Sequence, residues 1–459
     1  MLTIFNTLTR EKEALKPIIA GKVKIYICGV TVYDHCHLGH ARTYSAMDNV
    51  IRYLRYRHYD VITVRNITDI DDKIIKRSLE NQETTTALTE RFTKAMHDDF
   101  DALGLLEPEV EPRATQYIPH MKALMERLIN QGFAYVGSSG DVYFDVRKFP
   151  HYGCLSHHDI DQLESGARVD VVEAKKDPLD FVLWKLAKPG EPAWESPWGE
   201  GRPGWHSECS AMAMDLLGET FDIHAGGRDL IFPHHENEIA QSMAATNKPF
   251  AHLWMHTGFL QVDKEKMSKS LGNFITIRDA LSQHAPEVLR YFFAASHYRS
   301  PLIYTDEVLS QAKQSLTRFY TALRGLNLGA VPQHTAFEAD FIKAMDDDFN
   351  SPVALSVLFD VTHEIWRLRE AGSVDEAAGL GALLKHLGGL FGILQQDPEF
   401  YFQASGQVDV AKVEALIAER QQARLNKNWA EADRIRAVLL AMNVELDDTA
   451  GGKTIWKVN

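Results

Sequence analysis

Two short apolar runs separated by a helical pattern constrain this chain more than any other feature. Lys24-Ile-Tyr-Ile-Cys28 and Asp60-Val-Ile-Thr-Val64 read as buried strands, and the stretch Ala41 to His58 between them places apolar side chains at helical spacing. Strand, helix, strand in that order is a parallel pair joined by a right-handed crossover, which commits the N-terminal third to an α/β sheet domain. Gly29 to Gly39 reads as the loop leaving the first strand, and Asn66-Ile-Thr-Asp-Ile-Asp-Asp72 stands at the end of the second. The same character returns in Phe221-Asp-Ile-His-Ala225, which runs into Gly226-Gly227, and again in Leu253-Trp-Met-His256 and Phe259-Leu-Gln-Val262.

Shifts in pattern divide the chain. The first half of the sheet domain spans residues 1–116, an insertion 117–204, and the second half 205–262. The insertion holds a helix, a β-rich stretch Gly140-Asp-Val-Tyr-Phe-Asp-Val146 and a Pro/Gly/Trp-rich run from Lys188 that ends at Trp205. A segment rich in chemistry, 263–310, leads into an almost wholly helical region, 311–400, in which Ser351-Pro352 suits an N-cap and first turn. The tail, 411–459, reads as helix, Asn428-Trp429 turn, helix and a short β stretch to Trp456.

With 459 residues, 45% of them hydrophobic, the chain has material for about three domains and is not disordered. It carries no run of about 18 apolar residues, and its first ten residues lack the basic and apolar regions of a signal peptide, so a cytoplasmic protein with no membrane partner is expected. Four cysteines, Cys28, Cys36, Cys154 and Cys209, are too few for a disulfide framework and suit free thiols or metal ligands. A net charge of −14 argues against indiscriminate coating of nucleic acid, yet residues 411–459 are locally +1 and the rest −15, so a local RNA surface remains open. The sequence shows neither an internal repeat, nor a dinucleotide fingerprint, nor a Walker-type loop.

Two motifs carry phosphate chemistry. His37-Leu38-Gly39-His40 opens a helix, where backbone N–H groups favour an anion, Gly39 allows close approach and each imidazole can donate to a phosphate oxygen. Lys266-Met-Ser-Lys-Ser270 places two lysines on a Ser-bearing loop, a clamp suited to charge migrating onto a leaving polyphosphate. Each alone is as easily a solvated surface. Together they resemble the signature pair of the class I aminoacyl-tRNA synthetases, with Leu38 a volume-conserving replacement for the commoner isoleucine.

His234 and Glu238, four apart in Pro233-His-His-Glu-Asn-Glu238, share one face of a helix that begins at Pro233. With Cys28 and Cys209 they would make a tetrahedral zinc set, although spacing cannot pair residues so distant and buried free cysteines are the alternative. Cys28 before Thr31-Val-Tyr-Asp34, the Asn66–Asp72 stretch, Gly204-Trp-His-Ser-Glu-Cys209, the Pro233–Glu238 segment and the lysine motif together resemble the bacterial cysteinyl-tRNA synthetases, end to end. That resemblance implies a Rossmann-like parallel-sheet catalytic domain with an inserted connective segment, then an α-helical bundle and a small mixed α/β C-terminal domain. It implies that 263–310 holds the lysine loop and contacts the tRNA stem, and that 411–459 binds the anticodon.

The resemblance further implies one Zn²⁺ per chain on Cys28, Cys209, His234 and Glu238. It implies ATP with Mg²⁺ held by His37, Gly39, His40, Lys266, Ser268 and Lys269, with His37, His40, Lys266 and Lys269 as the catalytic set. Gly29, Thr31, Thr68 and Trp205 match positions that line the cysteine pocket, and Arg424, Asp433 and Asp448 match positions that contact anticodon bases. Trp429 could stack on a base or anchor its turn, and a core role for Trp429 and Trp456 is equally open. Cys36 and Cys154 fall outside the family's ligand pattern, and His224 and His235 are either structural or orient substrate. Asp69, Asp71 and Asp72 read as a magnesium cluster or as a helix cap.

The expected reaction is activation of L-cysteine by ATP and transfer to tRNA(Cys) by a monomer. Zinc would distinguish a thiol from serine's hydroxyl without a separate editing domain, for which 117–204 is short. Three rivals stand beside it. A related ligase passes cysteine to an amino sugar, which the anticodon-type tail argues against. A zinc hydrolase would want His-Glu-x-x-His, which the sequence lacks. A non-catalytic RNA-binding protein would have no need of both signature motifs.

Overall fold

A computed structural model of the chain describes residues 1–158, 175–262, 265–266, 274–404, 410–442, 444–448 and 454–458. Its contacts form two compact units, one of residues 1–310 with 336–357 and one of 311–335 with 358–459.

The first unit is built on a parallel sheet. Strand β1 (Lys22–Thr31) leads through α1 (Leu38–Tyr56) to β2 (Asp60–Thr68); after the insertion, α2 (Trp205–Leu217), β3 (Phe221–Gly227), α3 (Glu236–Thr246) and β4 (Ala251–Thr257) follow. The strands lie in the order β4-β3-β1-β2, every neighbour parallel, with Ile25 beside both Thr63 and Ile223 and His224 beside Trp254. A sheet buried on both faces explains the near-continuous apolar runs. On one face Tyr26 donates to Met212 Sδ of α2 at 3.9 Å, and on the other Ile27 lines a small cavity together with Tyr44, Met47 and Ile51 of α1. Order 4-3-1-2 means the chain leaves β1 toward β2 in one direction and returns to β3 in the other. Such a reversal opens a crevice outside the carboxyl ends of β1 and β3.

Two devices fix this frame. At the edge, Asn6, the last residue of the first strand of the hairpin Thr3–Asn6/Glu11–Ala14, uses its side-chain amide as a strand would: Nδ2 donates to His252 O at 3.0 Å, and Oδ1 accepts from Trp254 N at 3.1 Å. On the buried face of α1, Asp48 takes ion pairs from buried Arg290 and from Arg52 and accepts Leu106 N at 2.8 Å. Burial alone would raise the Asp48 carboxyl, but the two guanidinium groups outweigh it and hold it below the usual range.

The insertion forms an antiparallel sheet of Ala134–Val136, Val142–Phe144, Phe181–Leu186 and Gly201–Pro203. In the second unit, helices such as Val374–Gly389 are followed by helices Val410–Leu425 and Trp429–Ala441 and a hairpin of Val444–Asp448 with Thr454–Val458. The last two helices and the hairpin enclose their own core of Val413, Ile417, Ile435, Leu439, Val444 and Trp456. The helix Ser351–Glu370 starts one residue earlier than a Ser351 cap requires: Asn350 Oδ1 accepts Val353 N at 3.4 Å, so Asn350 caps it. Among the described residues no helix is long and apolar enough to cross a membrane.

Asp48→Ala removes the carboxylate that pairs with the buried Arg290 charge, and should destabilise the protein by about 3–5 kcal/mol in urea denaturation. Because the folded carboxyl titrates below its unfolded value, the Asp48 contribution is present above about pH 4 and lost below it, so the variant's stability should fall less steeply in acid than the wild type's.

Candidate functional site

The crevice at the carboxyl ends of β1 and β3 is a cavity of about 370 Å³. Cys28, Gly29, Thr31, His37, Gly39, His40 and Trp205 of the sequence reading line it, together with Asp34, Lys73, Asp229 and Phe274, which that reading did not single out.

At its rim α1 begins with a cap made of two histidines. His37 Nδ1 accepts His40 N at 3.3 Å and His40 Nδ1 accepts His37 N at 3.2 Å, a reciprocal capping box in place of the usual Ser and Glu. The rings stack at 3.8 Å. Since each Nδ1 is an acceptor, each neutral ring carries its proton on Nε2, which sets both histidines up as donors. The strap after the lysine motif is sewn to this loop: Leu38 N donates to Ile275 O at 3.0 Å, Ile277 N to Cys36 O at 2.9 Å, and the Phe274 ring stands edge-on to His37 at 5.1 Å. Glu265–Lys266 forms a short strand against Gln261–Val262, whereas Ser268 and Lys269 lie outside the described residues.

Beneath the rim, β1 breaks register between Ile27 and Val30, so Cys28 and Gly29 leave the ladder. Gly29 N donates to Asn66 Oδ1 at 2.8 Å, and a Cβ on Gly29 would fall 1.5 Å from Asn66 O. Only glycine lets β1 approach β2 here. Asn66 Oδ1 also accepts the Cys209 thiol at 3.6 Å, so one amide locates both cysteines, a role its quoted motif did not reveal.

Cys28, Cys209, His234 and Glu238 converge from four segments. Cys28 Sγ lies 3.7 Å from Cys209 Sγ and 3.5 Å from Glu238 Oε1, and His234 Nε2 lies 2.9 Å from Glu238 Oε1. The cysteines are free thiols. Donors of a tetrahedral zinc site, with Zn–S about 2.3 Å and Zn–N about 2.0 Å, stand about 3.3–3.8 Å apart. The Cys28–Cys209 and Cys28–Glu238 separations fall in that range, and the His234–Glu238 pair is closer, as a direct hydrogen bond. The set of two thiols, an imidazole and a carboxylate fits zinc by donor type. His234 belongs to the turn Ile231–His235, and α3 proper starts at Glu236 rather than at Pro233; the i,i+4 contact survives because the turn runs directly into the helix.

The structure adds His235, whose Nε2 is 3.2 Å from Cys28 Sγ; the ligand atoms of Cys28, His234, His235 and Glu238 all lie within 4.8 Å of one another. His224 supports the carboxylate, its Nε2 2.7 Å from Glu238 Oε2, while its ring stacks on Trp254 at 4.4 Å. Trp205 stacks on His234 at 4.1 Å and separates the cleft from a cavity of about 1010 Å³ beside the insertion.

The electrostatics of this pocket invite a cation. Burial opposes the charge on Glu238, but His224 and His234 outweigh it and hold the carboxyl well below its usual range. Burial also raises Cys209, yet hydrogen bonds from Cys28 and His234 bring it down to about 6. His234 would be lowered by burial, and Glu238 and Cys209 lift it to about 10. His234 thus stands between the Glu238 carboxylate and the Cys209 sulfur. Burial, above all, pushes the Cys28 thiol up and holds His235 neutral, with His256 down to about 3.

Other positions are placed differently. Thr68 is buried off the cleft and donates to Glu208 Oε2 at 2.7 Å. Asp71 is a helix cap accepting Lys73 N at 2.8 Å, Asp69 accepts Thr115 N and Oγ1, and Asp72 pairs with Lys185 and Arg202, so the three do not converge as a metal cluster. Cys154 donates to Glu236 Oε1 at 3.6 Å, and Cys36 is packed in the interior. In the tail, Arg424 Nη1 pairs with Asp448 at 2.8 Å, Asp433 is exposed, and Trp429 is 57% exposed, whereas Trp456 is buried.

The family model of the tRNA synthetases class I (C) catalytic domain matches residues 14–314, and that of the DALR domain residues 340–395. The chain is 57% identical to the cysteine–tRNA ligase of Ectopseudomonas mendocina over 100% of its own length and 99% of the relative's. It is 54% identical to that of Coxiella burnetii over 99% and 100%. Among solved structures it resembles Mycobacterium tuberculosis methionyl-tRNA synthetase in complex with methionyl-adenylate, with a TM-score of 0.59 at 16% identity, covering 81% of this chain and 90% of that one.

Gly29→Ala should cost at least about 1–3 kcal/mol of stability, read as a lowered thermal midpoint, because the new methyl group meets backbone that cannot step aside.

Proposed function

Because the chain belongs to the cysteine–tRNA ligases of the class I tRNA synthetases, we propose that it activates L-cysteine with ATP and transfers it to the 3′-terminal ribose of tRNA(Cys). The observation that carries this reading is the meeting of two thiols, an imidazole and a carboxylate at the floor of the cleft whose rim is the histidine cap.

In the first step the cysteine carboxylate attacks the α-phosphorus of ATP and the bond to pyrophosphate breaks. With a pKa of about 3.5 that carboxylate is already ionised, so no general base is called for. The work is positioning and charge stabilisation. His37 and His40, protonated on Nε2 by their mutual cap, donate to phosphate oxygens, and the α1 N-terminus adds its dipole. Lys266, Ser268 and Lys269, by the family pattern, meet the charge gathering on pyrophosphate, for which Mg²⁺ is the natural counter-ion. In the second step a terminal ribose hydroxyl takes the acyl group and AMP leaves.

Cys28, Cys209, His234 and Glu238 would hold one Zn²⁺, which supplies a soft Lewis acid that binds a thiolate far better than an alcohol. An apolar pocket could draw only about 1–3 kcal/mol from so small a difference as oxygen for sulfur. Trp205, stacked on His234, walls this part of the pocket from the larger cavity. A cytoplasmic monomer fits the family, and the exposure of Trp429 supports base recognition by the tail.

Amino-acid-dependent ATP–pyrophosphate exchange tests the substrate: cysteine should be activated and serine not, and activity confined to another amino acid overturns the reading. Cys209→Ser should lose zinc and exchange together, and a metal-free variant that activates cysteine at the wild-type rate contradicts the ligand role. Trp429→Ala should leave melting and exchange unchanged while raising the KM for tRNA roughly tenfold, in line with about 1–3 kcal/mol per stacked base.

A further inference from the structure

Behind Cys28 runs a chain of three hydrogen-bond contacts that ends in the N-terminal segment. His235 Nε2 lies 3.2 Å from Cys28 Sγ, His235 Nδ1 lies 2.8 Å from His256 Nε2, and His256 Nδ1 lies 2.8 Å from Thr7 Oγ1. Both rings are buried, and Gly226 admits His235 to this place, since a Cβ there would stand 2.8 Å from His235 Cε1. The far end is held by backbone: Thr7 N donates to Trp254 O at 2.9 Å, and Thr7 O faces His157 Nε2 at 3.1 Å.

The chemistry of the two ends gives the chain one direction. A metal-bound thiolate can only accept, and a threonine hydroxyl can donate. With Thr7 Oγ1–H donating to His256 Nδ1, His256 keeps its proton on Nε2 and donates to His235 Nδ1; His235 then keeps its proton on Nε2 and presents it to Cys28 Sγ. Each neutral ring has one donor and one acceptor, so the hydroxyl decides both tautomers. We propose that Thr7 is a positioning residue for the thiol-reading metal: through His256 and His235 it aims an N–H at the Cys28 sulfur and so sets that ligand's donor strength and the preference for sulfur over oxygen. Groups that orient a ligand in this way are commonly worth 10- to 100-fold in metal affinity.

This inference rests on the zinc reading, and the experiment separates the two. Zinc affinity by chelator competition and the thiolate-to-metal absorption of the Co²⁺-loaded protein are measured for wild type, Cys209→Ser, Thr7→Val and Thr7→Ser. Valine keeps the volume and the backbone contacts of Thr7, so a packing role predicts no change. We expect Thr7→Val to bind zinc about tenfold more weakly, to shift the Co²⁺ band and to raise the KM for cysteine with the KM for ATP unchanged; Thr7→Ser restores all three. Loss of zinc in Cys209→Ser with wild-type affinity and spectrum in Thr7→Val overturns the inference alone. Equal zinc binding by wild type and Cys209→Ser overturns the ligand reading and the inference with it.

Discussion

Glu238 has no access to water, and a carboxylate so placed keeps its charge only if donors or cations meet it. His224 from β3 meets one oxygen, and His234 from the turn before α3 meets the other. Cys28 of β1 adds its thiol, and Cys209 of α2 closes against Cys28. One buried anion therefore fixes where two strands, a helix and a turn meet. The surrounding rings follow from it: Trp254 backs His224, and Trp205 covers His234. A set of like-charged donors this close would repel in the absence of a proton or a metal ion, which is why the same cluster that strains the interior is also the part of the chain best suited to hold a cation.

The backbone makes room for that cluster at two glycines. Gly29 lets β1 touch the Asn66 carbonyl, and Gly226 lets His235 lie against β3. Both stand at strand ends flanking the reversal of strand order, so the crevice is given by topology and the glycines deepen it. The histidine cap uses the same economy. A helix start needs its first N–H groups satisfied, and choosing imidazoles for that task simultaneously settles which nitrogen of each ring faces the cleft.

The sheet was legible because buried parallel strands are continuous apolar runs, and the His234–Glu238 contact because four residues is about one helical turn. Cys28 and Cys209 are 181 residues apart, and no local pattern joins them; the family resemblance did, and the geometry places them together. The bulge at Cys28 was not legible, because it depends on the carbonyl of a neighbouring strand. His235 stood in the quoted motif without a role, since its partners His256 and Thr7 come from remote segments. Trp429 and Trp456 looked alike in sequence; burial separates a core residue whose Nε1 donates to Glu414 at 2.6 Å from an exposed one. Thr68, matched to a pocket position, donates its hydroxyl to Glu208, a partner no local pattern names.

The tail proposed to meet the tRNA has a charge pattern of its own within an acidic chain. Of its eight cations, Arg420 and Arg424 pair with Asp448 and Arg434 with Glu431, so these three are partly neutralised where they stand. Arg420 above all holds the Asp448 carboxyl far below its usual range, so the pairing persists at any physiological pH. A guanidinium fixed in that way has less rotamer freedom to lose on meeting a base, and the exposed indole of Trp429 in the same tail offers a flat face. Under the proposed role, base recognition by such a surface would draw on shape and fixed donors as well as on phosphate contacts, as suits an unstacked loop of defined sequence.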